Sequence, residues 1–168
     1  VVPTDCLAAH LVDRLPDATE LALGFQGLDE LSPGTAHTAV NSLAQDGKVR
    51  HEGRIRDVPV AHDVRAIDFG AGETTAAALP WGDVSTAYYT TGIDDIETYA
   101  TVPEYALTAM RRLAPLSPVL GSRPVQRALK AVVDATVSGP TAEERAQSVS
   151  RVWGEVEDDE GNRAAARR

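Results

Sequence analysis

Between residues 48 and 79 the chain is cut into short segments of strand length by glycine-containing turns, and this pattern constrains the fold more than any other feature. Residues 48–51, 54–60, 65–69 and 74–79 each have strand length, and Glu52-Gly53 and Gly70-Ala71-Gly72 have turn chemistry. Their spacing predicts an antiparallel meander. A further alternating run lies on either side. Residues 19–26 place Leu21, Leu23 and Phe25 on one face against Glu20, Ala22 and Gln26, and residues 96–102 alternate in the same way. A terminal hairpin is expected with arms 148–157 and 163–167, turning near Glu160-Gly161-Asn162.

Helical periodicity occupies the remaining stretches. Val1-Val2-Pro3 reads as the end of a strand, after which Thr4 or Asp5 caps a helix with the stripe Leu7, Ala8, Leu11, Val12 and Leu15, stopped by Pro16. Ser32 caps a second helix, with Pro33 in the first turn, where a missing N–H costs nothing. Its stripe is Ala36, Ala39, Val40 and Leu43, and Asp46-Gly47 ends it. Pro80-Trp81-Gly82-Asp83 leads into a short helix over 84–90 closed by Gly92.

Pro103 opens a helix that runs to Leu113, and a loop is expected over 115–121. Ser122 and Pro124 then begin a helix carrying Val125, Leu129, Val132, Val133 and Thr136. A loop at Ser138-Gly139-Pro140 and a helical turn over 141–145 precede the hairpin. Strands outnumber helices and cluster instead of alternating with them. That predicts an α+β two-layer sandwich, with a mainly antiparallel or mixed β-sheet and helices packed on one face, as a single domain over 1–168.

Charge narrows the partners. A net charge of −9 argues against a nucleic-acid partner, which needs a basic face to release counterions. Arg123, Arg127 and Lys130 share one helix and read as a solvated face. The acidic run 155–160 reads as a hairpin tip in water, without the spacing of a calcium loop. Cys6 stands alone, so a disulfide framework is excluded and a reducing, cytoplasmic setting is the expectation. No run of apolar residues is long enough to span a bilayer.

Catalytic signatures are sparse. Neither G-x-G-x-x-G after a strand nor G-x-x-x-x-G-K-[ST] occurs. His10, His37, His51 and His62 are scattered without metal-ligand spacing, and each reads as a surface or packed histidine. Cys6 near a helix start would have a stabilised thiolate, although an inert buried thiol is the simpler reading. Two helix starts, Pro3-Thr4-Asp5-Cys6 and Ser32-Pro33-Gly34-Thr35, set small polar groups beside unsatisfied N–H groups that can hold an anion or simply be capped. The segment 81–88 combines Trp81, Gly82, Asp83, Ser85, Thr86 and Tyr88, a composition suited to a pocket wall or a domain joint.

Taken in order, Val1-Val2-Pro3-Thr4-Asp5-Cys6-Leu7-Ala8, Leu31-Ser32-Pro33-Gly34-Thr35-Ala36-His37-Thr38 and Pro80-Trp81-Gly82-Asp83-Val84-Ser85-Thr86-Ala87-Tyr88 resemble the saccharopine dehydrogenase-like oxidoreductases. That family includes proteins described as trans-acting enoyl reductases. Gly92-Ile93, Ile96-Glu97-Thr98-Tyr99 and Trp153-Gly154-Glu155-Val156 with Gly161 extend the resemblance over nearly the whole chain. It implies an N-terminal Rossmann domain that binds NAD or NADP, followed by an α+β domain that lines the substrate cleft and often forms a homodimer.

On that reading the chain is the second part, truncated at both ends. Residues 1–15 form the junction with the absent Rossmann domain, which is its own partner, and 148–168 the terminal hairpin. The substrate- or cofactor-facing residues would be Pro3, Asp5, Ser32, Gly34, Thr35, Trp81, Asp83 and Thr86, with Asp5 and Asp83 capping helices at the cleft. The basic residues that bind substrate in saccharopine-forming enzymes have no counterpart placed here. Two further expectations stand beside this one: a non-catalytic assembly domain whose sheet meets a partner through Leu21, Leu23 or Phe25, and a reductase of carrier-bound lipid precursors.

Overall fold

The structure, a computed structural model, describes residues 2–27, 32–42, 45–139 and 149–168. An eight-stranded mixed sheet forms its centre, and the fold is α+β. Strand β1 (Ala18–Gln26) lies between β6 (Asp95–Thr101) and β7 (Arg151–Asp158), parallel to the former and antiparallel to the latter. Beyond β7 comes β8 (Arg163–Arg167), the second arm of the expected hairpin. The other edge of β6 is shared. β2 (Gly47–His51) meets it at Arg50 and Ile96, while β5 (Glu73–Ala78) pairs with its far end at Tyr99, Ala100 and Thr101. β3 (Arg54–Val58) hangs on β2, and β4 (Val64–Asp68) on β5.

The expected meander is therefore two separate hairpins. Residues 59–63 leave β3 and carry the chain to a different part of the sheet, so β4 joins β5 and not β3. Alternation dictates which face a residue takes, but not which strand lies beside it.

One face of the sheet is covered by α1 (Val2–Arg14) and α3 (Asp83–Thr91). Leu21, Leu23, Ile96 and Val156 point into this layer and meet Ala8, Leu11, Ala87 and Ile93 in the main core. Gly154 allows the helix to come close, since a Cβ there would stand 2.8 Å from Leu11 Cδ1. Leu21 and Leu23 are buried in the chain's own core, so they do not form the partner-facing surface of the assembly expectation.

The β4–β5 hairpin curls over the opposite face. Ile67, Phe69, Ala76 and Ala78 pack there with Tyr99, Ala22 and Trp153. The curl brings β4 back towards β8, where Arg167 donates to the Asp68 carboxylate.

Helices α2 (Pro33–Ser42), α4 (Glu104–Leu113), α5 (Ser117–Leu120) and α6 (Arg123–Thr136) gather beyond this sheet. Leu107 of α4 packs on Ala61 and Ala77, and Gln126 of α6 donates to the Val40 carbonyl of α2.

Several local expectations are corrected. Val2 and Pro3 are helical, not the end of a strand, because proline is tolerated in a first turn and the stripe of α1 decides the state. Thr4 and Asp5 consequently lie inside the first turn and do not cap it. Asp83 is the first residue of α3, preceded by Gly82, so it is not the cap either. The expected loop at 115–121 is a 3-10 turn (Ala114–Leu116) running into α5, with Pro115 and Pro118 at helix starts, where they fit. The helical turn expected over 141–145, together with Leu43 and Ser148, lies outside the described residues. Among the described residues no helix is long and apolar enough to cross a membrane.

Candidate functional site

Where residues 59–63 depart from the sheet, a cleft of about 1260 Å³ opens between them, α2, α4 and the turn before α3. Its walls are mainly apolar: Val58, Pro59, Val60 and Ala61 on one side, Leu79, Pro80 and Trp81 at the base, and Ala106, Met110 and Leu113 from α4. Thr35, Thr38 and Ala39 of α2 close the remaining side. Polar side chains stand around the rim and walls, among them Ser42, Gln45, Asp46, Asp57, Thr101 and Ser117. Arg111 reaches across from α4 to donate to the Ala61 carbonyl at 3.2 Å, and the next residue, His62, also lines the cleft. A cavity whose exposed walls are mainly apolar, with polar groups among them, is the usual form of a small-molecule site.

The base of the cleft is held rigidly. Trp81 stacks at 5.2 Å on Phe25, and its backbone N–H donates to Thr98 Oγ1 at 3.3 Å. The buried Thr98 hydroxyl donates in turn to the Leu79 carbonyl at 2.5 Å. Behind Trp81, α3 is fastened to α1 by two side-chain pairs: Thr4 donates to Asp83, and Thr86 donates to Asp5 at 3.1 Å. On its other side α3 is fastened to β2 by Arg50, which donates to the Val84 carbonyl at 3.0 Å and lies 4.1 Å over the Tyr88 ring.

Asp83 is fully buried, and its Oδ2 has no hydrogen-bond partner among the described residues. Burial pushes its carboxyl above the ordinary range, opposed by the Thr4 hydroxyl and aided by the nearby Asp5 charge.

The candidate residues thus separate into groups. Thr35 and Trp81 line the cleft. Asp5, Asp83 and Thr86 form the fastening between helices, one layer behind it. Ser32 caps α2, accepting from the Thr35 N–H at 3.2 Å, with its hydroxyl 3.0 Å from that of Thr35. Gly34 and Pro3 are exposed on the first turns of α2 and α1.

A second cavity of about 560 Å³ lies against β1, β2, β6 and β7. It is acidic, with Glu20, Asp63, Asp95, Glu97, Glu155 and Glu157 set against Arg50, Arg65 and Arg163. Arg65 bonds Glu155 at 3.3 Å and lies over the rings of Tyr99 (5.2 Å) and Trp153 (5.5 Å). The Tyr99 hydroxyl sits between Asp63 Oδ2, at 2.8 Å, and Glu97 Oε2. Burial, and then those two carboxylates, raise its phenol pKa well above the ordinary range. Glu97 Oε1 in turn lies 3.1 Å from His62 Nε2.

Sequence reasoning passed over His62, Asp63, Glu97, Tyr99 and Arg111 as chemistry. The only available signal was the alternation that sets Glu97 and Tyr99 on one face of β6. Among the described residues no cluster of His, Cys, Asp and Glu is arranged to hold a metal ion. Compared with models of known families and with curated proteins, the sequence matches none of them.

Proposed function

We propose that this chain is the substrate-side domain of an NAD(P)-dependent oxidoreductase of the saccharopine dehydrogenase-like kind, and that its cleft takes a largely apolar substrate. The observation that carries the reading is the cleft itself. Thr35 and Trp81, drawn from two of the segments on which the resemblance rests, line one apolar cavity together with α4. The third segment, at the start of α1, fixes α3 behind Trp81 through Thr4–Asp83 and Asp5–Thr86. The apolar walls also favour, among such enzymes, one that reduces lipid-like precursors.

Among the described residues, the strand and hairpin glycines serve packing and turns, not a dinucleotide cradle. Gly24 and Gly154, both in strands, have their space filled by neighbours: a Cβ on Gly24 would lie 3.2 Å from the Phe69 and Trp153 rings, and one on Gly154 2.8 Å from Leu11 Cδ1. Gly70 and Gly72 turn a hairpin and do not open a helix. A nicotinamide cofactor, which supplies hydride when bound, would be held by the nucleotide domain. This chain contributes substrate binding, orientation and exclusion of water.

The test is fluorescence. The full-length protein is expected to shift NADH or NADPH emission on mixing, whereas the 168-residue chain is not. A full-length protein that leaves both cofactors unchanged overturns the oxidoreductase reading. Separately, N-phenyl-1-naphthylamine, a neutral apolar dye, is expected to bind the chain and quench Trp81, and wild-type-like dye binding by Trp81→Ala would place the dye elsewhere.

A further inference from the structure

Among the described residues that line the apolar cleft, the basic side chains are Arg111 and His62. His62 is engaged by Glu97 at 3.1 Å. Arg111 has no carboxylate within ion-pair distance among the described residues, whereas Arg56, Arg65, Arg163 and Arg167 each have one. The two acids on the cleft wall do not serve it. Asp57 is held by Lys48, and Asp46 forms no ion pair with Arg111.

The guanidinium is nevertheless held in place. Its Nη2 donates to the Ala61 carbonyl at 3.2 Å, across the gap between α4 and the crossing segment. Ala61 is buried with φ of 50°, a left-handed conformation that residues with a Cβ adopt rarely. Residues held in this conformation recur at ligand clamps and active sites. The turn around it is closed by the His62 N–H, which donates to the Pro59 carbonyl at 3.1 Å, and Ala61 itself packs on Ala77 and Leu107. The carbonyl that receives Arg111 is therefore fixed in direction. A guanidinium has five N–H donors, and this bond uses one of them. The side chain is exposed, so the others are open to an acceptor in the cleft.

Size and charge together select the occupant. At about 1260 Å³ the cleft exceeds the roughly 300–1,000 Å³ of ordinary small-molecule pockets, and its mainly apolar walls suit a hydrocarbon chain. The planar fork of an arginine matches a carboxylate, which accepts two parallel hydrogen bonds from it. We propose that the cleft binds a fatty carboxylate, its chain along Val58, Val60, Ala106 and Met110 and its head group on Arg111. The proposal rests on the cleft being the substrate site and names the class of molecule that enters it. The net charge of −9 repels anions at long range, so a preference for an anion has to come from a local group such as this one.

The test displaces N-phenyl-1-naphthylamine from the 168-residue chain with decanoate and with decanol, both below micelle formation and saturation. Decanoate is expected to bind about tenfold more tightly than decanol, the low end for hydrogen bonds to a charged group. Arg111→Gln is expected to bring decanoate to the level of decanol and to leave decanol unchanged, a split that a general loosening of the cleft would not give. A dye-binding wild type that takes decanoate and decanol equally, or neither, would overturn the carboxylate subsite and leave the cleft reading standing. So would a preference that survives Arg111→Gln. A wild-type chain that binds neither the dye nor either compound would overturn the cleft reading, and the subsite with it. Matching unfolding midpoints establish that Arg111→Gln is folded, and Arg111→Met, which keeps an unbranched stem, takes its place if it is not.

Discussion

Replacing Gly154 tests whether α1 lies on the sheet as closely as described. A Cβ at 154 would stand 2.8 Å from Leu11 Cδ1, 3.2 Å from Leu7 Cδ2 and 3.3 Å from Leu23 Cδ2. A leucine methyl would ordinarily rotate away, but Leu11 and Leu23 are both fully buried among Ala8, Leu21 and Val156. Overpacking of this kind costs about 1–3 kcal/mol, offset by about 0.4–1 kcal/mol because alanine restricts the unfolded chain. Gly154→Ala is therefore expected to destabilise by about 1–2 kcal/mol, a fall in Tm of about 2–8 °C for a chain of this size. Leu11→Ala alone should cost about 2–5 kcal/mol through the cavity it leaves.

In the double variant the new methyl enters the space that Leu11 Cδ1 vacates. The combined loss should fall short of the sum by about 1 kcal/mol, a coupling typical of touching residues. Urea unfolding of the four proteins, read by tryptophan fluorescence and circular dichroism, closes the cycle. Additivity within about 0.3–0.5 kcal/mol would refute the contact.

Asp83→Asn is expected to flatten the pH dependence of stability. Burial raises the folded carboxyl's pKa above its ordinary value of 3.8, so the native state binds more protons than the unfolded chain, and this stability is lost as pH rises through the folded pKa. Urea midpoints across pH measure it, and parallel profiles for variant and wild type would refute the burial argument. Asp158 has the opposite sign. The Asn162 side chain first, then the backbone N–H groups of Asn162, Glu160 and Gly161, lower its pKa, so its contribution is present above pH 3.8 and lost as pH falls through the folded value. Asp158→Ala should remove that acid-side loss and increase amide exchange at 160–162, and unchanged exchange there would refute the turn's dependence on the carboxylate. Trp81→Ala should weaken dye binding in the cleft on the order of tenfold, about 1.4 kcal/mol, and unchanged titrations would refute Trp81 as its floor.

The elements of the fold were legible wherever a period could be counted. The alternation at 19–26 gave β1 within a residue of its start, and the placement of Leu21 and Leu23 on one face is borne out by their burial beneath α1. Gly92, with φ of 74°, ends α3 as its position after the stripe predicts. What could not be counted was partnership. Nothing in 54–60 shows that β3 stays on β2 while β4 crosses to β5, because that choice is made by Ala61, Ala77 and Leu107 packing together, with residues far apart in sequence. The start of α1 failed for a related reason: two valines before a proline favour a strand locally, and the tertiary contacts of Thr4, Ala8 and Leu11 overrule them.

The site was legible in proportion to how local its chemistry is. Trp81 and Thr35 stood out because each sits in a short segment rich in small and polar residues, and both line the cleft. Asp5 and Asp83 also stood out, but their composition does not show that they face helix partners and not the cavity; only the distance between α1 and α3 decides that. His62 shows the limit most sharply. As a lone histidine in a linker it is indistinguishable from His10 or His37 by spacing. Its partner is Glu97, more than thirty positions away, brought beside it by the same crossing of 59–63 that separates the two hairpins and opens the cleft. A single topological event thus creates the cavity and sets His62 in its wall, so a sequence reading that mistakes the pairing of β3 and β4 must miss both together.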